Sequence, residues 1–191
     1  MFISSLVLGV IIGMLTKKDI RTLTKLPIKA IYLPFIAFGS QYCLDVIAAS
    51  QFGGLQDWLG IVHSASYLLL FWWIYLNRSL SGIWWIAGGT LLNFLVIIAN
   101  QGFMPVDPGR LPEEVRLNLL NGLNGTHRLL SADSALYFLA DIFYLSWPFQ
   151  ELDSIGDVLL AAGAGIVLFR GMQNQPNSPD EAYHLETGSQ E

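Results

Sequence analysis

Asn100-Gln101-Gly102-Phe103-Met104-Pro105 is the stretch on which the fold turns, because an apolar run carrying Asn93 enters it and a long polar segment, residues 103–153, leaves it. Gly102 permits a sharp turn, Pro105 stops a helix, and Phe103 with Met104 can pack a seam, so the run reads as a hinge. Asn100 is the member that carries functional weight. What lies on either side decides the class of protein.

On the upstream side the apolar residues come in blocks. The 191-residue chain is 53% apolar and 13% charged, and windows such as 30–49 and 83–99 are apolar nearly all round rather than striped with period 3.6. That excludes an ordinary soluble domain and points to bilayer spans over about 2–15, 30–49, 61–76, 83–100 and 154–169. The net charge of -5 carries little weight, since four of the fifteen acids follow Arg170 in the tail. Nucleic acid is excluded as a partner. The single cysteine, Cys43, sits in an apolar run and reads as a small buried hydrophobe.

Phe2 to Leu15 has no basic residue ahead of it and no small-residue cleavage site behind it, so it reads as a retained span and not as a cleaved signal. It is short, roughly 21 Å at about 1.5 Å per residue. Lys17, Lys18, Arg21, Lys25 and Lys29 follow it and mark a cytoplasmic segment. With five spans and the N-terminus outside, seven Lys and Arg fall inside (those five with Arg78 and Arg170) and three fall outside (Arg110, Arg116, Arg128). The C-terminal residues 173–191 are polar, aperiodic and expected to be disordered in the cytoplasm. Residues 1–172 then form a single transmembrane domain.

The outer loop, 103–153, is too long for a mere connection in a compact domain. Pro112, Glu113 and Glu114 start one short helix there and Gly122 stops it. A second is expected from Asp133 or Ser134 to Pro148, lying on or dipping into the outer leaflet, with a sixth span as the alternative. The expected fold is therefore all-α and membrane-integral: a five-helix transmembrane bundle with a long outer loop carrying two short helices.

Placed by depth, the polar residues of the spans fall on one side. Gln41 and Asp45 end an outward-going helix, His63 begins an inward-going one, Asn100 lies at the outer end of the fourth span and Asp157 near the outer start of the fifth. Ionisable groups in a bilayer are costly and face a packed or watery interior. Together with Asn93 as the deepest member, and with His127, Arg128, Asp133 and Asp141 from the loop, they predict a polar pocket beneath the outer surface. The expected ligand-binding set is Asp45, His63, Asn93, Asn100, His127, Asp141 and Asp157. Each also has a plain structural explanation. Asp157 suits a helix N-terminus, Asp45 a hydrated interface, Asn93 an interhelical bond, and the histidines a satisfied structural role. Arg128 can anchor the loop to lipid headgroups. Asn124, Gly125 and Thr126 match a glycosylation acceptor, a pattern too short to weigh.

No catalytic template fits. Two distant histidines without HExxH or a cysteine pair are a poor zinc site, and there is neither a phosphate loop nor a GxSxG elbow. Haem ligation by His63 and His127 is open but unmarked, and no cofactor can be named. Asp141 with Asp157 lacks the neighbourhood of an intramembrane hydrolase.

The run Asn100 to Val106, His127, Leu139 to Ile142 and Ser154-Ile155-Gly156-Asp157 resembles a family of small bacterial polytopic membrane proteins known only as a domain of unknown function. The resemblance covers about residues 1–172, implies a bacterial plasma membrane, and supplies no activity. Three functions stay open. The first is binding or transport of a small polar or cationic solute through an outward-facing pocket. The second is a non-catalytic subunit or assembly factor of a membrane complex, with another membrane protein as partner. The third is an enzyme acting on a lipid or quinone through an aspartate and His127. The first is favoured, and an enzyme is the less favoured class.

Overall fold

The structure is a computed structural model and describes Leu23 and residues 26–50, 54–145 and 151–172. The expected first span, most of the basic segment after it, and the expected tail lie outside the described residues. Among the described residues the chain is mostly helical, with five α-helices: α1 (Tyr32–Ser50), α2 (Leu59–Leu76), α3 (Ile83–Ala99), α4 (Glu113–Leu120) and α5 (Ile155–Gly171). Two of them, α1 and α2, are long and apolar enough to cross a membrane, and α3 is a shorter apolar helix.

Small residues set how the long helices meet. Gly82 and Gly89 lie on α3 or at its start, Gly156 and Gly163 on α5, each pair seven residues apart. A Cβ on Gly89 would strike Gly156 and Leu160, and one on Gly82 would strike Gly163 and Ile166. The two helices thus run antiparallel with their backbones in contact, the geometry that small residues allow in apolar surroundings. Ala37 of α1, Tyr67 and Leu70 of α2 and Val96 and Ile97 of α3 share one core cluster with Met104 and Leu139.

The hinge is real, but its parts do other work than expected. Helix α3 ends at Ala99, and Gln101 (φ +60°) and Gly102 (φ +89°) reverse the chain in the left-handed region. Gly102 lies against the backbone of Gly60, so neither position has room for a side chain. Pro105 does not stop the helix. It sits in a short strand, β1 (Met104–Val106), which pairs in parallel with β2 (His127–Leu129).

Among the described residues the 103–153 segment carries one α-helix instead of two. Helix α4 starts after Pro112 and ends before Gly122, as the sequence suggests. Over residues 133–145 the second expected helix, from Asp133 or Ser134 onward, does not form, which tells against the sixth-span alternative. Both backbone groups of Ala135 are bound by the Asn100 amide, Leu136 takes φ +52°, and a single 3-10 turn follows at Tyr137–Leu139. From there the backbone bonds sideways. Asp141 bridges to Val106, and β3 (Phe143–Leu145) pairs antiparallel with β4 (Glu151–Asp153). The aromatic and β-branched residues of this short apolar run suit a strand as well as a helix. Residues 146–150, Pro148 included, lie outside the described residues.

Candidate functional site

Strand β1 explains how two distant residues come together. His127 pairs with Met104 on one edge of β1, and Asp141 bridges to Val106 on the other. Residues 104 and 106 of a strand point to the same face, and paired residues share it. His127 and Asp141 are therefore delivered to one side of the strand, with His127 Nε2 3.6 Å from Asp141 Oδ2. Arg128, one residue on, faces away.

A chain of contacts leads from this pair into α1. The Asn124 side chain accepts the backbone N–H groups of Thr126 and His127, a turn that asparagine makes with its own loop. The turn presents Gly125 and Thr126 to Asp45, whose Oδ1 accepts the Gly125 N–H (3.0 Å) and the Thr126 hydroxyl (2.9 Å). Thr126 Oγ1 also lies 2.8 Å from His127 Nδ1. A hydroxyl has one proton, and the Asp45 carboxyl is the strongest acceptor in reach. His127 Nδ1 must then be the donor to Thr126. In the neutral ring that leaves Nε2 as a bare acceptor facing Asp141.

Asp141 itself is short of partners. It is 6% exposed, and its Oδ1 is buried without a hydrogen bond. Oδ2 is too far from His127 for a direct one. Burial holds its carboxyl well above the ordinary carboxylate range, and Asp157 and Asp153 push it further the same way. His127 is half-buried, with 39% of its side-chain surface exposed. Burial pushes the imidazole below its ordinary value, and Asp45 and Asp157 only partly pull it back. Both shifts favour a neutral acid beside a neutral imidazole over an ion pair. An isolated acid in this position costs roughly 1–3 kcal/mol for the bond it lacks.

The remaining expected residues divide. Asn93 and Asp157 meet, but as a closed structural knot: Asn93 Nδ2 donates to Asp157 Oδ1 (2.9 Å), Asn93 Oδ1 lies 2.9 Å from Ser154 Oγ, and Asp157 Oδ2 accepts the Ser154 N–H. Ser154 and Asp157 form the capping box of α5. His63 is 3% exposed and bonds through Nδ1 to the Gly102 carbonyl (2.7 Å), which fixes the hinge to α2. Asn100 clamps Ala135 from both sides and also donates to the Val96 carbonyl. The polar residues thus form several local knots; among the described residues Asp45 and His127 join through Thr126, with Asp141 3.6 Å from the imidazole. Among the described residues no three or more His, Cys, Asp or Glu side chains gather as metal ligands would. Thr126, Asn124 and Ser154 escaped the list of expected site residues. The Asn-Gly pair was the available signal for the first two, as turn chemistry, and was read only as a glycosylation pattern.

Residues 25–169 match the family of unknown function DUF5317, and the chain belongs to that family. An uncharacterised protein of Thermotoga maritima is 30% identical over 181 residues, covering 92% of this chain and 94% of that protein. The family is thus an uncharacterised one that includes bacterial members. No solved structure matches the chain.

Proposed function

We propose that this is an integral membrane protein that binds, and carries across the bilayer, a small polar or cationic solute at the acceptor cluster of Asp45, Thr126, His127 and Asp141. The membrane setting is supported by the length and composition of α1 and α2 and by what the helices leave uncovered. Phe35 and Tyr42 of α1 are 72% and 71% exposed and Trp84 of α3 is 70% exposed, large apolar surfaces that suit lipid better than water.

The observation that carries the proposal is the buried Asp141 Oδ1 without a donor, with His127 Nε2 3.6 Å from the other oxygen of the same carboxyl. Acceptors without donors fit a solute that brings N–H groups and positive charge. Burial keeps a proton on Asp141 when no solute is present. An ammonium-type cation displaces that proton: the carboxylic acid loses H⁺ to solvent, and the carboxylate so formed pairs with the cation. Cation and proton then compete for one carboxyl, which couples their movement.

Purified protein in detergent, heated with methylammonium or with tetramethylammonium, tests the proposal. Methylammonium, which can donate, is expected to raise the unfolding midpoint of the native chain and not that of D141N. Equal response to tetramethylammonium, which has no N–H, overturns it. The uncovered face of α1 also suits a second reading, a subunit of a larger membrane complex, and co-purification of a stoichiometric partner from native membranes favours that one.

A further inference from the structure

Three arginines of the 103–153 segment occupy different situations. Arg116 is held by Glu113 through a two-nitrogen fork, with bonds of 2.7 to 3.0 Å. Arg110 lies loosely by the Tyr144 ring, 5.8 Å from its centroid. Arg128 lies over the Phe103 ring, 3.6 Å from its centroid, and among the described residues no carboxyl forms an ion pair with its guanidinium. Stacking fixes the plane of a guanidinium and leaves its edge, with its N–H donors, free for an oxyanion.

Arg128 lines a groove of about 350 Å³ together with Leu59, Phe103, Leu119, Leu120 and Leu129, and with Gly122 and Asn124. It has a cation and a leucine wall, and no acidic side chain. Its position adds a constraint. Leu59 begins α2, one of the two helices long enough to cross a membrane, and Trp58 just before it is 58% exposed, as an interfacial tryptophan would be.

We propose that this groove holds an anionic phospholipid of the adjoining leaflet, its phosphate on the edge of Arg128 and part of an acyl chain along the leucines. The inference rests on the membrane setting proposed above but not on the solute site. A zwitterionic lipid fits less well, because no carboxylate in the groove would receive its amine. The contact of the Arg128 guanidinium with Phe103 already lowers the cost of ordering it, so the phosphate gains a pre-positioned cation.

Native mass spectrometry of the full chain released from dodecyl maltoside, titrated with phosphatidylglycerol or phosphatidylcholine, tests it. The chain is expected to retain one phosphatidylglycerol at concentrations where phosphatidylcholine is lost. R128Q is expected to bind it about tenfold more weakly, the loss of one charge-assisted bidentate contact. R128K, which keeps the charge and loses the fork, is expected to fall between the two and serves as the variant of record if R128Q does not fold. R116Q is expected to bind as the native chain does. Equal losses in R116Q and R128Q, or equal retention of the two lipids by the native chain, overturn the proposal in favour of unspecific charge attraction. Release of the chain from membranes by alkaline carbonate defeats the membrane setting itself, while loss of the methylammonium response with lipid binding intact defeats only the solute site.

Discussion

Two polar clusters of this molecule are built from the same chemistry and end in opposite states. At the α3–α5 contact, Asn93, Ser154 and Asp157 turn their polar atoms on one another and on the backbone at the start of α5. Beside β1, Asp45, Thr126 and His127 bond in sequence, but the chain of bonds stops at His127, 3.6 Å short of Asp141, whose other oxygen is buried and unmet. A closed cluster explains itself as structure, since every buried group has its partner. An open one needs a reason, and a bound solute or a transferable proton is one. The difference lies in the inventory of donors, which residue identity alone does not reveal.

The largest effect should come from attacking the closed cluster. A Cβ on Gly156 would fall on the Asn93 amide and the Gly89 carbonyl, so G156A is expected to destabilise the chain by roughly 2–3 kcal/mol and to be visible as a lowered unfolding midpoint. Next, N93L removes the donor to Asp157 Oδ1 and a partner of Ser154, and a loss of about 1 kcal/mol, on the scale of interhelical bonds in apolar surroundings, is expected in denaturation. If N93L abolished solute binding while leaving stability intact, the comparison would break.

The open cluster should answer differently. D141N removes the titrating group without removing bulk. In the native chain Asp141 keeps its proton where the unfolded chain gives one up, so its contribution falls as pH rises above the ordinary carboxyl range of about 4. The midpoint of D141N relative to the native chain should therefore rise with pH over that window, with methylammonium binding lost throughout. His127 acts in the other direction. Its pKa is depressed by burial, so the native chain loses stability as pH falls below about 6.5, and H127Q should flatten that loss. The smallest effect belongs to the exposed Arg116–Glu113 fork, where R116Q should leave the midpoint unchanged within error because solvent screens the pair.

How far the sequence carried each region follows the range of its interactions. The helices lie where the apolar runs lie: the windows 30–49, 61–76, 83–100 and 154–169 compare with α1, α2, α3 and α5. The start of α4 after Pro112 and its end before Gly122 were legible because capping is local. The false second helix after Asp133 has the opposite cause. Its backbone is committed to Asn100, Val106 and strand β4, partners that periodicity within the segment cannot see. The candidate site was legible as a list and not as a map. Asp45, His127 and Asp141 were in it, but so were Asn93 and Asp157, which close on each other, and His63 and Asn100, which fasten backbone. Thr126, the link between Asp45 and His127, stands in the sequence only as the end of the Asn124–Thr126 pattern, and its bond to Asp45 of α1 is too distant in the chain for a local pattern to show.

The central claim is that Asp141 is a buried acid without a donor, holding a proton that a cation can replace. Infrared difference spectroscopy of the native chain and D141N, with and without methylammonium at neutral pH, reads that state directly. The expected result is a protonated-carboxyl band at neutral pH that is absent from D141N and vanishes from the native chain when methylammonium binds. A native spectrum without that band, with Asp141 already a carboxylate beside a charged His127, would contradict it.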